Sequence, residues 1–157
     1  MSRIAEALAA LGHTLPPLKV PAANYLSYTL HGELLTISGQ VGQPGAARGG
    51  AVGKGLDVLA ARADAQRAAL GVLAAIDAAL DGDAGRIVQV LRLGVYIAAA
   101  PDFEAHGLVA NGASDLLVAA LGERGRHART AIGVLSLPGG AAVEVDAVVR
   151  VRDGAGA

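Results

Sequence analysis

Arg129 and Glu144 are the two residues whose types and setting best fit chemistry. Each stands in an otherwise apolar, alternating stretch. His127-Ala128-Arg129-Thr130-Ala131-Ile132-Gly133-Val134 leads through Leu137-Pro138-Gly139-Gly140 into Val143-Glu144-Val145-Asp146-Ala147-Val148. A guanidinium fork holds a carboxylate by two parallel, charge-assisted hydrogen bonds and so fixes its orientation. A partly buried carboxylate with a raised pKa can position a water and take its proton. On pattern alone, Arg129 reads more readily as a solvated strand-end arginine or half of a salt bridge, and Glu144 as a surface carboxylate. Asp146 shares Glu144's face and is assigned a structural role.

Both residues depend on strands for their placement. Val143, Val145, Ala147, Val149 and Val151 alternate with Glu144, Asp146, Val148, Arg150 and Arg152, a period of two. Thr130, Ile132, Val134 and Ser136 alternate with Arg129, Ala131, Gly133 and Leu137. Pro-Gly-Gly supplies a fixed φ followed by two residues free to take positive φ, so the segment reads as two strands joined by a turn.

Upstream, Ser2 caps a short helix with Ile4, Leu8 and Leu11 on one face and Gly12 as its stop. Leu15-Pro16-Pro17 ends that helix, and an extended lead-in runs to Pro21. Tyr25 to Leu30, His31-Gly32 and Leu34 to Ser38 read as a hairpin. Gly39 to Gly55 lacks periodicity and reads as a long loop of the functional or mobile kind. Leu56 to Leu80 is helical, burying Ala69, Val72, Leu73, Ile76 and Leu80, with Asp64, Arg67 and Asp77 facing elsewhere.

Ile87 to Ala98 is a strand apolar enough to be covered on both faces. Val88, Val90, Arg92, Gly94 and Tyr96 oppose Ile87, Leu91, Leu93, Val95 and Ile97. Pro101-Asp102 opens a second helix to Leu121, with Val109, Ala113, Leu116, Leu117 and Ala120 as its stripe. This order predicts an α+β fold, a mixed sheet with two long helices on one face. It is expected to form a single domain over 1–157, with 1–22 as helix and lead-in and 23–152 as core. Gly154 to Ala157 reads as a tail of small residues.

Composition narrows the function classes. The 157 residues are 53% hydrophobic but only 3% aromatic, so the core is built from small side chains. Such a core offers little area per residue, and association between copies is expected to add burial. Net charge is −1 with scattered Lys and Arg, which gives no broad field for nucleic acid. Absence of cysteine excludes disulfides and thiol catalysis. No apolar run reaches membrane-span length, and Glu6 with Gly12-His13 argues for an amphipathic helix over a signal peptide. A cytoplasmic location is expected. His13, His31, His106 and His127 lack metal-ligand spacing and read as surface or loop histidines, so no metal is expected. Gly49 to Gly55 imitates a phosphate loop but is one residue short and has Gly55 where a magnesium-binding hydroxyl must stand.

The His127–Val134 string with its Leu-Pro-Gly-Gly turn and Glu144-x-Asp146-Ala147 strand resembles the C-terminal signature of the RidA family, also called YjgF or endoribonuclease L-PSP-like. Thr36-Ile37-Ser38-Gly39-Gln40 is similar to that family's "TSGQ" strand end. Asn24-Tyr25 matches its "PY" pair with Asn for Pro, and Asn111 an asparagine early in the second helix. The resemblance runs from roughly Asn24 to Arg152. Departures are the N-terminal helix, Ala131 at a frequent cysteine position and His127 at a usual proline position.

The resemblance implies a chorismate mutase-like fold and a homotrimer with sites between subunits. It also implies a cofactor-independent hydrolase that deaminates 2-enamino and 2-imino acids to 2-oxo acids and ammonia. In that reading Arg129 holds the substrate carboxylate and Glu144 positions and activates water. Tyr25, Ser38, Gly39 and Asn111 shape the pocket. The alternative is a non-catalytic, small-carboxylate-binding regulatory trimer that keeps the arginine. Ribonuclease activity, for which some members are named, lacks the clustered basic and aromatic residues it requires.

Overall fold

A computed structural model describes residues 1–152 of the chain; the expected small-residue tail lies outside the described residues. Five strands make one mixed sheet in the order β1-β2-β7-β5-β6. β1 (Tyr28–His31) and β2 (Leu34–Val41) form the expected hairpin, beginning three residues later than Tyr25. Its turn is Gly32-Glu33, with Gly32 at φ 56, a conformation glycine adopts without a Cβ penalty.

β7 (Val143–Val151) pairs antiparallel with both β2 and β5 (Ile87–Ala98), while β6 (Ala128–Val134) lies parallel to β5 at the sheet edge. The last two strands are therefore joined by a turn but are not neighbours, because β5 lies between them. Their connection crosses the C-terminal end of β5, where the Ala98 N–H donates to the Ala142 carbonyl at 2.9 Å. Gly139 and Gly140 take the expected positive φ, 64 and 68.

The faces of β5 differ from simple alternation. Register shifts fall between Ile87 and Gln89 and between Val90 and Arg92. The second places Val90 in the core beside Leu93, Val95 and Ile97, and turns Leu91, expected inside, out to 38% exposure. A bulge adds one residue to one strand, so parity changes across it.

Two helices cover one face of the sheet. α2 (Val58–Ala79) starts two residues later than the pattern suggested, because Asp57 is its cap and accepts the Ala60 N–H at 2.8 Å. α3 (His106–Leu121) starts at His106, since Ala100 to Phe103 closes a turn through the Phe103 N–H and Ala100 carbonyl. α1 (Arg3–Ala10) is capped by Ser2, as expected, and buries Ile4 and Leu8 in the common core. Leu11, expected on the same face, is exposed: the helix ends at Ala10, and Gly12 at φ 79 turns the chain away. None of the described helices is long and apolar enough to cross a membrane.

The predicted stripe of α2 is fully buried, but so is Asp64, which the pattern had placed elsewhere. Asp64 follows buried Ala61 by three residues and precedes buried Ala68 by four, so it lies on the core face. Its carboxylate accepts backbone N–H bonds from Gln43 (2.6 Å), Ala142 (3.1 Å) and Val143 (3.0 Å). The segment read as an open loop is accordingly tied down. Its first residues complete β2, and Gly42, Gly45 and Ala47 donate to carbonyls of Val143, Gly139 and Gly140. Val52, in β3 (Ala51–Val52) paired with β4 (Gly55–Leu56), is fully buried.

Small residues let α2 and α3 approach closely. A Cβ at Gly112 would lie 2.0 Å from the Arg62 carbonyl oxygen, a backbone atom that cannot rotate away. Gly112→Ala is expected to force the helices apart and lose about 2–3 kcal/mol, the upper part of the usual overpacking cost. Chemical denaturation of the variant checks this; unchanged stability would mean the helices separate freely.

Candidate functional site

Glu144 and Arg129 lie on opposite faces of the sheet. In β7, Val143, Val145 and Ala147 point under the helices, so Glu144, Asp146 and Val148 point to the open face. In β6, Arg129 pairs with Leu93 of β5, whose side chain faces the helices, and paired residues of parallel strands share a face. Arg129 therefore reaches α3 and not Glu144. Each forms the centre of a separate half of the candidate site.

The first half is a cleft of about 230 Å³ that brings Tyr25, Ser38, Gly39 and Glu144 together, as expected, with Lys19 and Pro138. It is made by a bulge in β2: between Ile37 and Gln40 the register against β7 shifts, leaving Ser38 and Gly39 opposite Asp146. Ser38 ties the Tyr25 segment in place, its hydroxyl donating to the Leu26 carbonyl at 2.6 Å and its N–H to the Ser27 carbonyl at 3.0 Å. A Cβ at Gly39 would lie 1.9 Å from Glu144 Oε1, so the glycine makes room for the carboxylate. Gly39→Ala is expected to push Glu144 out of the cleft while leaving the core intact. The crystal structure of the variant and its unfolding midpoint together check this.

Burial, and secondarily the charge of Asp146, raises the Glu144 pKa above the ordinary carboxylate value. Asp146 is pinned by Arg92 Nη1 at 3.1 Å and by the Tyr96 hydroxyl, which donates to it at 2.8 Å. Tyr96 stands directly across from Glu144 on β5, and its hydrogen bond to Asp146 is the leading cause of its own raised pKa. A side chain at Gly94 would collide with Asp146, so this group lies flat against the sheet.

The second half is centred on Arg129 and α3. Its Nη1 donates to Asn111 Oδ1 at 2.9 Å and to Ser114 Oγ at 3.0 Å. Asn111 thus lies with Arg129, away from the Tyr25, Ser38 and Gly39 cleft. Ser114 also contacts His127 Nε2 at 2.9 Å, and His127 Nδ1 lies 2.6 Å from the Gly125 carbonyl. Ser114 was not legible as a site residue, although it falls one helical turn after Asn111 on the same face. His127, read as a surface or loop histidine, is half-buried in this network. Among the described residues no cluster of His, Asp or Glu is arranged to hold a metal.

A mixed five-stranded sheet with two long helices on one face defines the chorismate mutase-like α+β fold seen in RidA and YjgF structures. The family described as Endoribonuclease L-PSP matches residues 17–151, and the chain belongs to that family, the YjgF/RidA family. It is 44% identical over 154 residues to Protein TCP17 of Trypanosoma cruzi, across 96% of both chains. It is similar to the crystal structure of Atu1372, of unknown function, from Agrobacterium tumefaciens. That match has 43% identity and a TM-score of 0.85, covering 94% of this chain and 92% of the other. The YjgF gene product of E. coli superposes at a TM-score of 0.57 with 25% identity, over 88% and 98% of the two chains.

Proposed function

We propose that this protein is an enamine/imine deaminase of the RidA type, assembled as a homotrimer whose sites form where one copy's Glu144 cleft meets another's Arg129. The observation that supports this reading is that the Glu144 cleft lies on one face of the sheet and the Arg129 network on the other, so two copies would together present the two groups that imine hydrolysis would use. The assembly also fits the apolar residues left open on and near the edge strands, Leu26 at 65% exposed, Ile132 at 45% and Leu135 at 98%.

The substrate carboxylate pairs with Arg129, which sets the C=N carbon before Glu144. Glu144 takes a proton from a water as its oxygen attacks that carbon, forming a carbinolamine. Glu144 returns that proton to nitrogen, the C–N bond breaks as the carbinolamine hydroxyl gives its own proton to Glu144, and ammonia leaves a 2-oxo acid. An enamine enters the same sequence after protonation at carbon. No cofactor is required.

The test is release of ammonia and 2-oxo acid from 2-iminobutanoate generated in situ, with wild type beside Arg129→Ala. Acceleration lost in the variant supports the reading; wild type no faster than buffer overturns it. The base must be ionised, so the acid limb of kcat/KM is expected above the range of an ordinary carboxylate. Asp146→Asn removes the smaller of the two causes and is expected to move that limb to lower pH without restoring the ordinary value. A pH profile unchanged by the substitution would show that Asp146 does not act on the base.

A further inference from the structure

We propose that His127 and Ser114 are positioning residues that lock Arg129, leaving one edge of its guanidinium to receive a planar 2-oxo or 2-imino carboxylate side-on. This rests on the deaminase reading for its substrate class. The geometry of the lock stands independently.

With the His127 imidazole neutral, the hydrogen bonds set every role in the chain. The Gly125 carbonyl can only accept, so the proton of neutral His127 sits on Nδ1 and donates there. His127 Nε2 is then an acceptor, and the Ser114 hydroxyl must donate to it. That turns the lone pairs of Ser114 Oγ towards Arg129 Nη1, which donates to it and to Asn111 Oδ1. Both Nη1 protons are thereby used. Among the described residues Nε and Nη2 make no hydrogen bond, and these two form the edge that carries parallel N–H donors for a bidentate carboxylate. Gly107 borders that edge, and even an added Cβ there would stand in ordinary contact, 3.7 Å from Nη2. A proline at position 127, usual in the family, would supply no acceptor for Ser114.

An arginine with a free fork rotates about its side-chain bonds and meets a carboxylate in several poses. A locked one meets it in one. Ser114→Ala is therefore expected to raise KM for 2-iminobutanoate, and the Kd of 2-oxobutanoate measured by calorimetry, by about tenfold, and His127→Leu by several-fold, since the first removes a hydrogen bond to the charged guanidinium and the second a neutral one that orients it. kcat is expected to change less, since Glu144 lies in the other half of the site. His127→Gln places an amide oxygen near the Nε2 position and is expected to restore most of the affinity.

Nitrogen-15 NMR of the arginine side chains reads the lock without substrate. Resolved, slowly rotating Arg129 Nη signals are expected in wild type and His127→Gln, and their collapse in Ser114→Ala and His127→Leu. Unchanged signals and unchanged KM or Kd in Ser114→Ala would overturn the lock. Signals that behave as expected in a protein that neither binds 2-oxobutanoate nor turns over the imine would keep the lock and overturn the deaminase reading instead.

Discussion

Asp64→Ala is expected to remove about 4 kcal/mol of folding stability, a large share of the roughly 5–15 kcal/mol that holds an ordinary domain together. The carboxylate is 1% exposed and accepts three backbone N–H bonds, one from the segment after β2 and two from the entry into β7. Alanine leaves Gln43, Ala142 and Val143 without that acceptor, and each unsatisfied buried donor costs about 1–3 kcal/mol. For a chain of this size the loss corresponds to a drop on the order of 10 °C in melting temperature. Asparagine is a partial substitute. Its single oxygen can still serve Ala142 and Val143, but its amide then meets the Gln43 N–H donor to donor. An intermediate melting temperature for Asp64→Asn, with Asp64→Ala lowest, is the expected ranking in thermal unfolding. Equal values for wild type and Asp64→Ala would show that the loops are held by their backbone bonds alone.

The same carboxylate bears on the site. Val143 immediately precedes Glu144, and Gln43 follows the strand end that lines the Glu144 cleft. Gly42 passes so near Asp64 that an added Cβ would come within 2.5 Å of all three of its carboxyl atoms. The clip therefore sets where β7 begins and how the cleft wall departs from β2.

Sequence periodicity located most of the elements because their signals are local. The bounds of β5 match the apolar run from Ile87 to Ala98, and the α2 stripe is buried as its spacing requires. What escaped is what depends on contacts between distant segments. Alternation says that Arg129 and Thr130 point apart, and likewise Glu144 and Val145, but it cannot relate the faces of two strands. Only the register Leu93–Arg129 on one side of β5 and Tyr96–Glu144 on the other separates the two residues. The bulges at Leu91 and at Ser38-Gly39 leave no mark in the hydrophobic pattern of either strand. Asp64 escaped for another reason. A carboxylate in an apolar stripe reads as facing water until the three donors that satisfy it are known.

The division of the site between opposite faces leads to the prediction with the largest effect on activity. Under the deaminase reading, Arg129→Ala and Glu144→Gln each remove one half: Glu144→Gln is expected to lower turnover on the order of 10²–10⁴-fold, the range for loss of a catalytic acid–base group, and Arg129→Ala to abolish it through lost binding and orientation of the substrate. If every site joins the Arg129 of one copy to the Glu144 of another, the two inactive variants complement each other. In a ring assembled at random from equal amounts, a site is intact when the Glu144→Gln copy contributes arginine and the Arg129→Ala copy contributes glutamate. That combination arises at about one site in four over the whole population but at one of the three sites in every trimer that carries both variants, so isolated mixed trimers are expected to recover roughly a third of wild-type turnover. Co-expression of the two variants with different affinity tags, followed by isolation of complexes carrying both, gives the sample to assay. Recovery cannot come from either chain alone, because one sheet separates its own arginine from its own glutamate. Mixed complexes as inactive as their parents would mean that copies do not share a site, and the trimeric deaminase reading would fall with the arrangement it depends on.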